Sequence, residues 1–148
     1  MQYPAKFTAD NENGGFVVTF PDLPGATQGD TIEEAMQMAS EALGLVLTEY
    51  VERNADLPVP SKPRRGMKMI HVSALKEAKF GLYNAMRAAG VRKADLARRL
   101  GCQRSEVERL LDPFHGTKID QIEQALAAIG KRLVVDVQDA DSVRHIAA

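Results

Sequence analysis

The stretch KADLARRLGCQRSEVERLL, Lys93 to Leu111, gathers side chains suited to reading a nucleic acid. Gln103 and Arg104 are the types that make bidentate contacts with adenine and guanine. Ser105 fits a base edge or the backbone, and Glu106 and Arg109 continue the same exposed set. Lys93, Arg98, Arg99 and Lys118 suit phosphate positioning, which adds salt-dependent affinity and little sequence discrimination. Glu106 and Glu108 oppose simple electrostatic attraction, so the pattern favours selective contact over a merely sticky basic surface.

Such side chains need a rigid mount. A helix-turn-helix requires a small residue where its helices cross, a Gly where the turn becomes left-handed, and apolar residues that set the angle of the second helix. Ala97, Gly101 and the set Leu96, Leu100, Val107 and Leu110 meet these needs. An ordinary helical hairpin would hold the same Ala and Gly, and that reading stays open. KIDQIEQALAAIG predicts one more amphipathic helix, with Ile119, Ile122, Ala125, Leu126 and Ile129 on its apolar side and Gly130 as its stop. KRLVVDV, Lys131 to Val137, then reads as a strand with no obvious partner nearby. The simplest partner is the same strand of a second chain, giving a two-fold homodimer with reading helices about 34 Å apart. Pairing within the N-terminal sheet is the competing solution.

The front of the chain reads differently. Tyr3–Thr8 and Phe16–Phe20 alternate as half-buried strands around the turn-forming ADNENGG, which predicts a β-hairpin. A short strand near Ala26–Gln28 follows. Thr31 and Glu34 have the spacing of a capping box, so a helix should begin at Ile32. Its apolar positions Ile32, Ala35, Met36, Ala39, Leu43, Val46, Leu47, Tyr50 and Val51 form one stripe that should cover the sheet, with Met36 and Met38 serving as core filling. Glu33, Glu34, Glu41, Glu49 and Glu52 occupy the other face. After the proline-rich LPVPSKPRRG, MKMIHV predicts one more strand for the same sheet. Ser73 is placed to cap a helix in which Leu75, Ala78, Leu82 and Met86 are in register and Gly90 is the end. The expected domains are 1–73 and 74–148. Residues 1–60 hold two basic against ten acidic residues, a net −8, and residues 61–148 hold seventeen against ten, a net +7. The front suits a cationic protein surface and the back suits nucleic acid, while on charge alone two ordinary solvated surfaces are the competing reading.

Catalytic chemistry finds little support in these residues. A nuclease with a ribonuclease H type sheet needs carboxylates that hold divalent metals, the first usually within the first strand, and YPAKFT has none. Asp10 falls beyond that strand, Asp22 in a loop, and Glu34 and Glu41 on the polar face of the helix. The expectation is no enzyme, no metal and no cofactor. The one cysteine, Cys102, excludes an internal disulfide and reads as a small residue of the turn. His71, His115 and His145 lack ligand spacing. With no apolar run long enough for a membrane span and no signal-peptide pattern, a cytoplasmic protein is expected.

YPAKFT, GGFVVTFPDLPGATQGDTIEEAMQMASEAL and LPVPS together resemble the HicB family of antitoxins, in the version that ends in a helix-turn-helix. The most specific run is Phe20 to Gly25, followed by Gly29, Asp30, Glu34 and Ala35. LYNAMRAAGVRKADLARRLGCQRSEVERLLD looks like a DNA-binding domain of the phage-repressor type. The resemblance implies an α+β protein. Its first module would have a partial, ribonuclease H-like sheet with one long helix and would bind a small, mRNA-cleaving HicA toxin. Its all-α second module would bind the operon's own promoter, and the strand read at Lys131–Val137 would end it as the contact of a homodimer or higher homo-oligomer. Asp22, Glu33, Glu34 and Glu41 are the residues expected to meet the toxin. The competing function is a ligand-sensing helix-turn-helix transcription factor with no toxin, and a surviving hydrolase is a third.

Overall fold

β1 (Gln2–Ala9) and β2 (Phe16–Thr19) form the expected hairpin, joined by a turn in which the Asp10 carboxylate accepts from the backbone N–H groups of Glu12 and Asn13, both at 3.1 Å. The computed structural model describes residues 1–140. These fall into two compact units, one comprising residues 1–53 and 57–72 and the other Asn54–Asp56 with Ser73–Asp136; residues 137–140 group with the first. His145 lies outside the described residues.

β3 (Ala26–Gly29) pairs with β2, and β4 (Lys68–His71) pairs with β1, so the first unit is an antiparallel sheet of order β3-β2-β1-β4. The register places Phe7 opposite Val18 and Tyr3 opposite Ile70. Directly paired residues share a face, so these apolar side chains all point toward α1 (Ile32–Glu52). Ala35, Ala39, Leu43 and Leu47 of α1 are completely buried, as the apolar stripe predicts. Thr31 Oγ1 accepts from the Glu34 N–H at 3.1 Å, while the Glu34 carboxylate reaches one residue further back than a capping box does and accepts from the Asp30 N–H at 3.0 Å. Gly29 must be glycine for reasons of space. A Cβ there would lie 2.3 Å from the Ala35 nitrogen, so β3 sits directly against the first turn of α1.

The proline-rich segment is strapped to this unit at two points. The Tyr3 hydroxyl donates to the Pro58 carbonyl at 2.6 Å, and the Asp22 carboxylate accepts from both the N–H and the hydroxyl of Ser61, at 2.9 and 3.0 Å.

The second unit is a bundle of α2 (Ala74–Ala89), α3 (Lys93–Leu100), α4 (Arg104–Leu111) and α5 (Ile119–Ala127). Ser73 stands at the N-cap of α2, but its side chain makes no capping bond; the carbonyl starts the helix instead. Gly90 ends α2 in the left-handed conformation, as expected. α5 stops at Ala127, before Gly130, and Ile119 is 41% exposed, so the apolar side of this helix begins at Ile122. On α2, Tyr83 donates to the Ala55 carbonyl and Arg87 pairs with Asp56 at 2.8 Å, which explains why Asn54–Asp56 group with this unit.

One expected element does not form. Lys131–Val137 carries no regular secondary structure, and Val134, Val135 and Val137 are 72, 77 and 90% exposed. The four-stranded sheet of the first unit does not take the segment in. A strand exists only by virtue of its ladder, and none is offered within the described chain.

Candidate functional site

Two short helices and the turn between them build the main candidate surface. Gly101 ends α3 with φ of +67°, a conformation costly to any residue bearing a Cβ. The chain then extends through Gln103, the N-cap of α4. Leu96 and Val107 are fully buried, and Ala97 and Leu110 nearly so, which fixes the crossing of the two helices. Leu100 and Cys102 are half-buried. Burial, with Glu106 beside it, pushes the Cys102 thiol pKa up, so the group stays protonated and a poor nucleophile near neutral pH.

While Val107, Leu110 and Leu111 turn inward, Gln103, Arg104, Ser105, Glu106 and Arg109 are all exposed. The structure thus brings the five candidate base readers together on one short helix and its cap. Arg104 leans toward Glu108 at 3.6 Å, a loose pair between two exposed side chains that a competing ligand can displace at little cost.

The candidate phosphate contacts divide. Lys93 begins α3 and Lys118 caps α5, both exposed. Arg98 is paired with Asp95, whose carboxyl is held below the usual range first by the Arg92 N–H and then by Arg98. Arg99 donates to the Ala128 carbonyl at 3.3 Å. Lys93 and Lys118 are therefore the freer cations, while Arg98 and Arg99 also brace α3. A polar cleft beside α4 is lined in part by Glu106, Arg109, His115, Thr117 and Gln121.

In the first unit, three of the four expected toxin-facing carboxylates share α1. Glu33 and Glu41 are exposed, and Gln37 donates to Glu41 at 3.4 Å. Glu34 and Asp22 are occupied internally by Asp30 and Ser61, so both also serve as structural ties. Leu45, 56% exposed on α1, was absent from the sequence reading. It falls outside the apolar stripe, and its position four residues after Glu41 was the available signal. The exposed surface of α1 runs from Glu33 to Glu52, about 28 Å at 1.5 Å per residue, with Leu45 the exposed large apolar side chain on it. No group of three or more metal-ligating side chains occurs among the described residues, and no described helix is long and apolar enough to cross a membrane.

Fold and surfaces together define a class: a two-unit α+β protein, sheet and helix first and a small helical bundle second, with oppositely charged halves. Residues 2–81 match the family described as HicB-like antitoxins of bacterial toxin-antitoxin systems. Across 134 residues the chain is 42% identical to Antitoxin HicB 2 of Photorhabdus laumondii, covering 90% of this chain and 94% of that one. It is 39% identical to Antitoxin HicB of Escherichia coli K12 over 134 residues, covering 90% and 96%. The chain belongs to the HicB-like antitoxin family. A chain from a toxin-antitoxin complex of Streptococcus pneumoniae shares 39% identity, with a TM-score of 0.40 over 42% of this chain and 45% of that one.

Proposed function

We propose that this antitoxin neutralises an mRNA-cleaving toxin of the HicA type through its first unit and represses its own operon by binding promoter DNA through α3 and α4. The observation that carries the DNA half is the arrangement of α4, where Gln103, Arg104, Ser105, Glu106 and Arg109 are presented together while Val107 and Leu110 anchor the helix beneath them. Read as a helix-turn-helix of phage-repressor type, this arrangement would let the N-terminal turn of α4 enter the major groove, with Lys93 and Lys118 on phosphates.

Family membership and the acidic exposed face of α1 support the toxin half. A toxin that holds RNA needs a cationic surface, and Glu33, Glu41 and Glu49 would occupy it by charge complementarity, with the exposed Leu45 on the same helix as an apolar contact to slow release. The sheet and its helix serve as a ribonuclease H-like scaffold that has kept its shape for binding. Pairing of Lys131–Val137 with the same segment of a second copy would give its β-branched residues a ladder and cover the exposed Val134, Val135 and Val137. The resulting homodimer would bind a two-fold operator in the cytoplasm, where both mRNA and promoter are found.

The test is co-purification with the product of the neighbouring small reading frame, followed by RNA cleavage with and without this chain. Capture with suppressed cleavage is expected. Absence of capture, with selective DNA binding retained, would favour a free-standing, ligand-sensing regulator.

A further inference from the structure

We infer that Lys79 is a positioning residue for DNA reading: from inside the second unit it locks the end of α4 to the loop that leads to Lys118. The inference rests on the DNA-reading function proposed above.

Lys79 lies in the middle of α2 with no exposed surface, between Ala78 and Phe80. Its Nζ donates to the carbonyls of Arg109 at 2.9 Å, Asp112 at 2.8 Å and His115 at 2.7 Å, and to the Thr117 hydroxyl at 2.7 Å. An ammonium has three protons, so all are used, and one is shared among these four oxygens. Asp112 lends its charge from nearby, yet the direct shell is made of neutral dipoles, and burial pulls the Lys79 pKa down against that help.

The positions of the four acceptors carry the inference. Arg109 O belongs to the last turn of α4, where helix carbonyls lack intrahelical partners and form the negative end of the helix dipole. The other three oxygens lie on residues 112–117, a loop with no helix or strand. The loop's other ties are local or peripheral: Asp112 N–H to Glu108 O at 3.0 Å, His115 N–H to Asp112 O at 3.1 Å, Phe114 N–H to the Asp112 carboxylate at 2.9 Å, the Thr117 hydroxyl to His115 O at 3.4 Å, the buried Pro113, and the Lys76 ammonium 4.4 Å from the centre of the Phe114 ring. Lys76 and Lys79, one turn apart on α2, hold the loop from outside and inside respectively.

A side chain needed only to fill the core would be better apolar, because burying a charge is costly before its bonds repay it. What an apolar residue cannot do is fix the relative placement of Arg109, whose side chain is a candidate base reader, and of Lys118, the candidate phosphate contact just beyond Thr117. Base readout depends on that placement; loose attraction to DNA does not.

The experiment uses the full-length chain and a duplex of the promoter region upstream of its own reading frame, with a scrambled duplex of equal length as the non-specific probe. Lys79→Met removes every donor. Lys79→Arg keeps the charge but presents a planar head that does not fit the cage. Phe80→Leu is the control, since Phe80 is equally buried and makes no bond to the loop. Titrations are run well below each variant's melting temperature. The expected result is a loss of promoter affinity of about tenfold or more for both Lys79 variants, comparable to losing one good base contact. Scrambled-duplex affinity should stay within about twofold of wild type, set as it is by surface cations, and Phe80→Leu should keep its promoter preference whatever its melting temperature.

Equal losses on both duplexes, or the same promoter loss from Phe80→Leu, would reduce Lys79 to a stabilising residue. Should the Lys79 variants not fold, Thr117→Val removes one acceptor from the partly exposed loop, and an unchanged promoter preference in that variant would overturn the inference. If the wild-type chain itself shows no preference for the promoter duplex, the DNA-reading function fails, and with it the role assigned to Lys79.

Discussion

The two units solve the same problem, satisfying buried polar groups, by opposite means. In the first, backbone pairs with backbone along four strands, and the tightest approach, Gly29 against Ala35, is made possible by the absence of a side chain. In the second, four short helices leave many unsatisfied ends and an irregular loop, and the fully buried Lys79 gathers four of the oxygens. The sheet spreads its dependence over a ladder, whereas the bundle concentrates it on single residues. Small domains with little apolar surface to bury tolerate such concentration poorly.

The harshest way to break this contrast is Leu96→Ala. Leu96 is completely buried where α3 meets α4, and truncation there should cost about 4 kcal/mol, toward the upper end for a core leucine. Hydrogen exchange read by mass spectrometry should show α3–α5 losing protection while the strands and α1 keep theirs. Loss of protection in the strands to the same extent would mean that the units share one cooperative transition and that the contrast between them is only geometric.

Gly29→Ala makes the reciprocal cut. The new methyl would meet the Ala35 nitrogen at 2.3 Å and its Cα at 2.6 Å, neither of which can move without shifting α1. We expect a loss of about 2–3 kcal/mol, typical of overpacking against backbone, with toxin capture weakened and promoter binding preserved. A melting temperature equal to wild type would show that the first turn of α1 yields easily.

These two sites also mark what could be read from residues alone and what could not. Local geometry was legible: the Thr31–Glu34 spacing, the left-handed Gly101 and the small Ala97 each follow from rules that span four residues or fewer. Features joining distant segments were hidden. Asp22 reads as a loop carboxylate until Ser61, 39 residues on, supplies two donors. Lys79 reads by type as a solvent-facing position, and only the folded loop at 112–117 provides its oxygens. The state of the Lys131–Val137 segment was hidden for a third reason. Alternation and β-branched residues describe a strand's surface, while its existence depends on a partner that the single chain does not contain.

On the functional side, Arg104→Ala sharpens the division of labour. Its guanidinium is tied only loosely to Glu108, at 3.6 Å, and is free to meet a base. Removing it should cost about 1–3 kcal/mol of promoter affinity, the worth of one bidentate contact, and leave toxin neutralisation intact. Promoter affinity equal to wild type would remove Arg104 from the readers and shift the burden to Gln103 and Arg109.

The smallest expected effect separates the units by pH. Burial, helped by the nearby Asp22 charge, pushes the Tyr3 phenol up to about 12 from its usual 10.0. The folded first unit therefore holds that proton more tightly than the unfolded chain does. Its contribution is fully present below about pH 10 and drains away as pH rises toward 12. Tyr83 in the second unit is also raised, chiefly by burial, though Arg87 beside it works in the opposite direction. Tyr3→Phe should cost about 1 kcal/mol at neutral pH through the lost bond to Pro58, and should flatten the alkaline loss of the sheet alone. Urea midpoints followed on the β-sheet band of the infrared amide I spectrum isolate the first unit, because all the strands among the described residues lie there. If the sheet of Tyr3→Phe still weakened between pH 10 and 12 as steeply as wild type, the alkaline transition would belong to another group, and the strap between Tyr3 and Pro58 would be a contact without thermodynamic weight.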